Sequence, residues 1–195
     1  MADLDGEEGI RILSSGTKER REDRFKVLTD IGVTDGVKVL DVGCGLADYF
    51  TYLKELGIKI DYTGVDINEK LISNAKSIYP SEIDLQVRDF LEHPFKEEEF
   101  DFVVCSQVLN LRIEGVDNTQ LAKEFLSEMY RISKVAVACD FITNYTDFQE
   151  DYLYYHSPEE LFGFSKSITK RVSLRHDLKS YEFCLHLFKD FKGWR

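Results

Sequence analysis

The segment that most constrains the fold runs from residue 39 to residue 49 and reads V-L-D-V-G-C-G-L-A-D-Y. A short apolar run that enters Gly43-Cys44-Gly45 and continues as a helix-forming sequence is typical of a buried strand that turns directly into a helix. Glycines let the backbone turn sharply there and let a ligand approach the N–H groups that begin the helix. The segment therefore predicts an α/β nucleotide site, although Gly-x-Gly alone does not select the ligand.

Apolar runs and helix-forming runs alternate along much of the remaining chain. A first helix is predicted over residues 17–31 and is closed by Gly32. Five strands are predicted over residues 37–42, 58–65, 83–87, 100–105 and 135–140, and three helices over residues 46–56, 68–78 and 119–132. Because these strands are continuously apolar, we expect a mostly parallel sheet with helices on both faces.

The last part of the chain has a different pattern. Ser157, Pro158 and Glu160 form a capping box that opens a short helix ending near residue 165. The runs 171–175 and 181–188 are separated by the polar H-D-L-K-S turn, which predicts an antiparallel hairpin at the sheet edge. We therefore expect residues 1–195 to form one domain, with residues 1–16 poorly ordered and the helix over 17–32 covering the ligand site.

Acidic residues at the glycine turn narrow the choice of ligand. Asp41 ends the strand, and Asp48 falls in the first turn of the following helix. Carboxylates in these positions would repel the pyrophosphate of a dinucleotide, but they would attract a ligand that carries an ammonium and a sulfonium group. Asp66, which ends the next strand, can accept hydrogen bonds from two ribose hydroxyls, a property that suits either kind of nucleoside ligand.

These residues resemble those of the class I S-adenosylmethionine-dependent methyltransferases, and the resemblance covers residues 37–139 well. It implies a three-layer Rossmann-like α/β sandwich, in which a mostly parallel seven-stranded sheet ends in an antiparallel C-terminal hairpin. It also implies S-adenosylmethionine as the cofactor. Two departures from the family pattern occur: Ala47 replaces a frequent third glycine, and C-S-Q-V replaces the N-P-P-[YF] of enzymes that methylate adenine or glutamine nitrogen.

The resemblance also assigns cofactor contacts to positions in this sequence. The glycine turn holds the methionine end, the acid after the second strand holds the ribose, the third strand ends beside the adenine, and the fourth ends beside the transferable methyl. The residues in these positions are Asp41, Gly43, Cys44, Gly45, Asp66, Ile67, Asp89, Phe90, Cys105, Ser106 and Gln107. Arg24, on the leading helix, is a further candidate to pair with the methionine carboxylate.

Catalytic residues are harder to identify, because methyl transfer needs mainly alignment and only sometimes the removal of a proton. His176 and Asp177 are the preferred candidate pair, since the predicted hairpin turn could lie over the cleft at the carboxyl ends of the strands. Asn110, Tyr155 and His156 are other candidates. An aromatic cluster could form a lid or acceptor pocket, or a loop packed on the core. It comprises Tyr145, Phe148, Tyr152, Tyr154 and Tyr155.

The formal net charge of −11 argues against a surface built for nucleic-acid phosphates. Two basic runs could nevertheless bind a carboxylate or phosphate, or form solvated helix faces. They are Lys18, Arg20, Arg21 and Arg24 near the start, and Lys166, Lys170, Arg171 and Arg175 near the end. No apolar stretch approaches the roughly 20 residues that cross a bilayer, and the acidic first residues do not form a secretory signal.

The cysteines bear on location and on metal binding. Cys44, Cys105, Cys139 and Cys184 are widely spaced, and no pair has the spacing of metal ligands or of a redox motif. We therefore predict buried, reduced thiols, no metal site and a cytoplasmic protein.

The expected function is methyl transfer to a small molecule, because the domain is minimal and its surface acidic. There are three alternatives: a protein or RNA methyltransferase, a non-catalytic partner subunit that binds S-adenosylmethionine, and a nicotinamide oxidoreductase. Asp41 and Asp48 disfavour the last of these. The acceptor, the atom methylated and the oligomeric state stay open.

Overall fold

The structure is a computed structural model that describes residues 17–177 and 179–190, so the expectation about residues 1–16 lies outside the described residues. The helices of this part are α1 (Lys18–Thr29), α2 (Asp48–Glu55), α3 (Glu69–Ile78), α4 (Asn118–Ile132) and α5 (Pro158–Ile168), with a 3₁₀ helix at Val108–Asn110. Its strands are β1 (Lys38–Val42), β2 (Asp61–Asp66), β3 (Asp84–Val87), β4 (Phe100–Cys105), β5 (Ser133–Ile142), β6 (Arg171–Arg175) and β7 (Glu182–Phe188).

The strands form one seven-stranded sheet in the order β3-β2-β1-β4-β5-β7-β6. Strands β1 to β5 pair in parallel, whereas β7 pairs antiparallel with both β5 and β6. The predicted mostly parallel sheet with an antiparallel C-terminal hairpin is therefore confirmed. Strand β7 lies between β5 and β6, so the hairpin extends the sheet on the side away from β1.

Apolar side chains on the two faces of the sheet form two cores, as expected for continuously apolar strands. Phe25 of α1, Leu53 of α2 and Ile72 of α3 pack against one face. Leu126 of α4 and Leu161 of α5 pack against the other. The sheet therefore lies between two helical layers, which is the three-layer sandwich that the sequence predicts.

Four of the five helices begin where short polar side chains satisfy the first backbone N–H groups, whereas α2 begins after Ala47 without a side-chain cap. Asn68 Oδ1 accepts from the N–H groups of Lys70 and Leu71 at 3.0 and 3.2 Å. Ser157 Oγ accepts from the N–H of Glu160 at 3.1 Å, so the predicted cap of α5 is present. Within the described part of the chain, no helix is long and apolar enough to cross a membrane.

Candidate active site

The parallel strands bring several polar residues to one edge of the sheet. Asp41 lies at the carboxyl end of β1, Asp66 at that of β2 and Asp140 near that of β5. Ser106 and Gln107 directly follow β4. Ligands of open α/β sheets bind at this edge, where neighbouring strands lead to helices on opposite faces. The candidate site is therefore built from the segments that follow β1, β2, β3 and β4.

The turn after β1 depends on its glycines. Gly43 has φ +72°, and a β-carbon added there would lie 2.0 Å from Cγ2 of Val108, so no larger residue fits against the 3₁₀ helix. The N–H of Gly43 donates to the carbonyl of Val65 at 2.8 Å, and the N–H of Gly45 donates to Asp66 Oδ2 at 3.0 Å. Ala47, at the third position, also adopts the left-handed conformation, with φ 63°. The turn therefore keeps its shape without a third glycine.

Asp41 is almost fully buried below this turn. The Tyr62 hydroxyl donates to Asp41 Oδ2 at 2.6 Å. Burial raises the pKa of Asp41 to about 7, and the nearby carboxylates of Asp66, Asp48 and Asp140 act in the same direction, while the Tyr62 hydrogen bond opposes the rise. A ligand ammonium group next to Asp41 would favour its ionised form.

A first cavity, of about 100 Å³, lies between α1 and the glycine turn. Its polar wall carries both signs of charge. Arg21 Nε lies 3.6 Å from Asp48 Oδ2, and Arg24 Nη1 lies 3.2 Å from Glu182 Oε1. The full lining is Arg21, Arg24, Phe25, Asp41, Gly43, Cys44, Gly45, Leu46, Asp48, Tyr49, Leu71, Ser106 and Gln107. This set of carboxylates and guanidinium groups suits the ammonium and carboxylate of an amino acid.

A second, larger cavity of about 490 Å³ adjoins the first along Gly43, Gly45, Ser106 and Gln107. One wall is polar and comes from the ends of β2 and β3, with Asp66, Asn68, Arg88 and Asp89. Apolar residues form most of the remaining wall, including Val42, Val65, Ile67, Leu71, Phe90, Leu91, Val108, Leu109, Leu111, Ile113, Leu121 and Phe125. Ile67 is 72% exposed, so an apolar side chain is presented at the mouth of the cavity. These walls suit a flat, partly polar group such as a nucleoside.

The two acids of the large cavity are also bound to backbone. Asp66 Oδ1 accepts from the N–H of Asn68 at 2.8 Å, and burial raises the pKa of Asp66. Asp89 Oδ1 accepts from the N–H groups of Leu91 and Glu92 at 3.0 and 3.1 Å. Asn68, rather than Asp66, caps α3, so the side chain of Asp66 is not used as the helix cap.

The residues after β4 are held by a carboxylate that sequence reasoning did not single out. Asp140 Oδ2 accepts from the Ser106 hydroxyl at 2.6 Å, and Asp140 Oδ1 accepts from the backbone N–H and the side-chain Nε2 of Gln107 at 2.8 and 3.0 Å. Only its place at the end of a predicted strand distinguishes Asp140 in the sequence. The strand order makes this contact possible, because β4 and β5 are neighbours.

Six of the candidate residues line neither cavity, and the first three are Cys105, His176 and Asp177. Cys105 is fully buried in the core beneath the cleft. His176 and Asp177 follow β6, the outermost strand, at the carboxyl edge of the sheet, and they line neither cavity. Their catalytic role stays a prediction. Asp177 accepts hydrogen bonds from Arg175 at 2.8 and 3.1 Å, and His176 contacts the carbonyl of Ser180 at 3.3 Å.

The other polar candidates support the loop after β5. His156 is buried, its Nε2 lies 2.9 Å from the carbonyl of Leu109, and burial lowers the pKa of this imidazole. Asn110 Oδ1 accepts from the N–H of Ile142 at 2.8 Å, and the Tyr155 hydroxyl accepts from the N–H of Glu150 at 2.8 Å. The aromatic cluster contributes no residue to either cavity. Its members Tyr145, Phe148 and Tyr152 are exposed.

Sequence comparisons identify relatives of the whole chain and of its core. A family model described as a methyltransferase domain matches residues 33–161. The protein Rv1506c of Mycobacterium tuberculosis, which is named as a methyltransferase, is 29% identical over 160 residues, which cover 80% of this chain and 95% of that protein. The demethylmenaquinone methyltransferase of Staphylococcus aureus is 32% identical over 114 residues, which cover 57% of this chain and 44% of that enzyme. The chain thus matches less than half of the length of that second relative.

Solved structures share the fold. A SAM-dependent methyltransferase from Aquifex aeolicus is 22% identical, has a TM-score of 0.65 and matches over 93% of this chain and 97% of its own. Magnesium protoporphyrin IX methyltransferase from Synechocystis PCC 6803, solved with bound S-adenosylmethionine, is 16% identical, has a TM-score of 0.64 and matches over 97% of this chain and 85% of its own. The family match, the strand order and the acidic glycine turn agree. The chain belongs to the class I S-adenosylmethionine-dependent methyltransferases.

Proposed function

We propose that this methyltransferase transfers the methyl group of S-adenosylmethionine to a small-molecule acceptor. The observation that carries the proposal is the position of Ser106 and Gln107 at the junction of the two cavities. An acceptor that reaches this junction must enter a cleft whose walls are largely apolar, which is the usual form of a small-molecule site.

The proposed cofactor contacts follow the polarity of the two cavities. In the small cavity, Asp41 and Asp48 face the ammonium group, and Arg24 and Arg21 face the carboxylate of the methionine end. In the large cavity, Asp66 binds the ribose hydroxyls. Ile67, Asp89 and Phe90 enclose the adenine, with Gly43, Cys44 and Gly45 between the two ends. When bound, S-adenosylmethionine supplies an electrophilic methyl group on a good leaving group.

The protein's own contribution is alignment and exclusion of water. Ser106 and Gln107 form the wall nearest to the point where the methyl group is transferred. Leu109 and Leu111 continue this wall as an apolar surface. Neither cavity is lined by a histidine, and the buried His156 is held against the 3₁₀ helix. We therefore propose that proximity, rather than a histidine base, accounts for most of the rate.

The distribution of positive charge supports a small acceptor over RNA or protein. Arg171 Nη1 donates to the carbonyl of Lys189 at 2.6 Å, and Arg175 is paired with Asp30 and Asp177. In the described residues, no member of the second basic run lines either cofactor cavity. Two of the four relatives are named for their acceptors, demethylmenaquinone and magnesium protoporphyrin IX, and the apolar wall suits an acceptor with an apolar ring.

The location of the protein stays a proposal as well. Cys44, Cys105, Cys139 and Cys184 are all free and buried. Such thiols are usual in a reducing compartment, and we propose that the enzyme acts in the cytoplasm.

Calorimetric titration tests the cofactor assignment. S-adenosylmethionine should bind and NAD should not. Asp66→Asn should weaken binding by about 1–3 kcal/mol, because it removes a partly buried carboxylate that accepts ribose hydrogen bonds. Asp61→Asn is the matched control, since Asp61 is an exposed acid at the opposite end of the same strand. Absence of binding by folded wild-type protein would contradict the proposal.

Transfer of a radiolabelled methyl group identifies the class of acceptor. The enzyme and labelled S-adenosylmethionine are incubated with a cell extract separated into dialysable small molecules, RNA and protein. Label in the dialysable fraction supports the proposal. Label in RNA or protein would show a macromolecular acceptor instead, and binding without transfer to any fraction would favour a non-catalytic subunit.

A further inference from the structure

The loop after β4 is held in place by one buried carboxylate. Asp140 is 4% exposed, and its two oxygens accept three hydrogen bonds from two consecutive residues, at 2.6 Å from the Ser106 hydroxyl and at 2.8 and 3.0 Å from Gln107. Hydrogen bonds to an ionised acceptor are shorter and stronger than neutral ones. The contact therefore fixes both the backbone and the side chains of the loop.

Gln107 needs such a restraint because its backbone is strained. It has φ 63° and ψ 7°, in the left-handed region that residues other than glycine, asparagine and aspartate seldom occupy. This conformation is unfavourable for a residue with a β-carbon, because the β-carbon approaches the following carbonyl oxygen. Two hydrogen bonds from Gln107 go to the same oxygen of Asp140, one from the strained backbone and one from the side chain. Strain of this kind persists only where the surroundings enforce it, and it concentrates at functional sites.

The two loop residues and the aspartate that holds them line different cavities. Ser106 and Gln107 line both cofactor cavities, whereas Asp140 lines neither of them. Asp140 faces a small separate cavity of about 20 Å³, together with Arg24, Lys179 and Glu182. A cofactor in the two larger cavities would thus meet the loop but not Asp140. Any effect of Asp140 on that ligand must pass through Ser106 and Gln107, or through its charge.

We propose that Asp140 is a positioning residue that holds Ser106 and Gln107 in the arrangement required for cofactor binding. This inference rests on the proposed function, because it takes the two cavities to be the cofactor site. It adds a specific cause for the loop geometry: the carboxylate of β5 enforces a left-handed turn after β4, and that turn forms the wall where the cavities meet.

The test begins with Asp140→Asn, which keeps nearly the same shape. An amide has one acceptor oxygen and directs an NH₂ group toward donors, so it cannot accept all three hydrogen bonds. Calorimetry should show S-adenosylmethionine affinity reduced at least about tenfold. Asp101→Asn is the matched control, since Asp101 Oδ2 also accepts a backbone hydrogen bond, from Lys38 at 2.7 Å, at the opposite edge of the sheet. The control should lower the melting temperature and leave affinity unchanged.

Gln107→Gly separates positioning from charge. Glycine adopts a positive φ freely, so the turn no longer needs Asp140 to enforce it. If Asp140 acts by positioning, Asp140→Asn should weaken binding much less in the Gln107→Gly background than in the wild type. An equal loss in both backgrounds would mean that only charge matters and would overturn the proposal, as would unchanged affinity in Asp140→Asn.

The remaining outcomes are also distinguishable. Failure of the wild-type protein to bind S-adenosylmethionine would contradict the proposed function rather than the role of Asp140. Should Asp140→Asn fail to fold, recovery of a folded, binding protein in Asp140→Asn/Gln107→Gly would support positioning. Failure of the double variant to fold would show that the carboxylate is needed for the fold itself and would overturn the proposal.

Discussion

At the scale of single residues, the two glycines of the turn after β1 have different tasks. Gly43 has φ +72° and lies against Val108, whereas Gly45 has φ +55° and would place a β-carbon in open space, with no atom within 4 Å. An alanine at residue 45 would therefore suffer only backbone strain. An alanine at residue 43 would suffer the same strain and would also collide with the side chain of Val108. The pair allows these two costs to be measured separately.

We expect Gly45→Ala to lower the free energy of unfolding by about 1 kcal/mol, from left-handed strain alone. Gly43→Ala should cost about 2–4 kcal/mol, because overpacking against Val108 adds to the same strain. Urea denaturation of both variants and the wild type checks the difference. Equal losses would show that the contact with Val108 relaxes without cost.

Asp41 predicts a dependence of stability on pH. Its folded-state pKa is about 7, above the ordinary value near 4 of the unfolded chain, so folding takes up a proton between these values. The resulting stabilisation is complete below pH 4 and is lost as the pH rises through 7. Asp41→Asn, which cannot ionise, should exceed the wild type in stability by about 2–4 kcal/mol above pH 7.

The comparison is made by urea denaturation of both proteins from pH 4.5 to 8.5. Other groups titrate in both proteins, so the informative quantity is the difference in their free energies of unfolding. This difference should shrink as the pH falls toward the ordinary carboxyl pKa. A difference that stays constant with pH would show that Asp41 has an unshifted pKa.

A site residue could be predicted from the sequence when it contacts residues close to it in the chain, and not when it contacts distant ones. Asp41, Gly43 and Gly45 belong to one short segment, and the pattern of that segment indicates their arrangement. Asp140 and Gln107 are 33 residues apart, and their contact requires β4 and β5 to be neighbours. Single-sequence patterns indicate strands but not which strands are adjacent, so this contact escaped prediction.

At the scale of elements, the ion pairs that attach α1 to the rest of the molecule include one that is buried and one that is exposed. Arg24 and Glu182 have side chains only 6% and 21% exposed, and Nη1 lies 3.2 Å from Oε1. Lys18 and Glu55 have side chains 66% and 51% exposed, with the charged atoms 3.1 Å apart. Water screens the second pair far more effectively than the first.

We therefore expect Glu182→Gln to lower the free energy of unfolding by about 2–3 kcal/mol, because it removes the carboxylate of a buried ion pair. Glu55→Gln should change it by no more than about 0.5 kcal/mol. Thermal denaturation of both variants is the measurement. A similar effect of the two substitutions would mean that α1 is held mainly by its apolar face.

Element prediction succeeded where local periodicity is strong and was less accurate at boundaries. Strand β4 has the predicted bounds of 100–105, while β5 extends to 133–142 instead of 135–140. The hairpin was predicted correctly, but the position of β7 between β5 and β6 is a property of the whole sheet that local periodicity does not indicate. His176 and Asp177 consequently follow the outermost strand, at the expected edge of the sheet, and line neither cofactor cavity.

At the scale of the whole molecule, both cores share one sheet. Val104 of β4 belongs to the core on one face, and its neighbour Cys105 belongs to the core on the other. Loss of packing on one face would expose strands whose opposite side chains form the other core. We therefore propose that the described residues form a single cooperative domain.

The prediction is a single unfolding transition. Urea denaturation followed by far-UV circular dichroism reports backbone structure, and near-UV circular dichroism reports the packing of the ten tyrosines. The two midpoints should coincide, and saturating S-adenosylmethionine should move both by the same amount. Two separated transitions would indicate that the hairpin or the α1 layer unfolds independently.

The Arg24–Glu182 contact has a consequence for the order in which parts of the chain can fold during synthesis. The two residues are 158 positions apart, and they join α1, near one end of the described chain, to β7, near the other. A growing polypeptide cannot complete this wall of the small cavity until β7 has emerged from the ribosome and paired with β5. Every earlier intermediate lacks this buried ion pair, and we therefore expect it to hold α1, and with it the small cavity, less firmly.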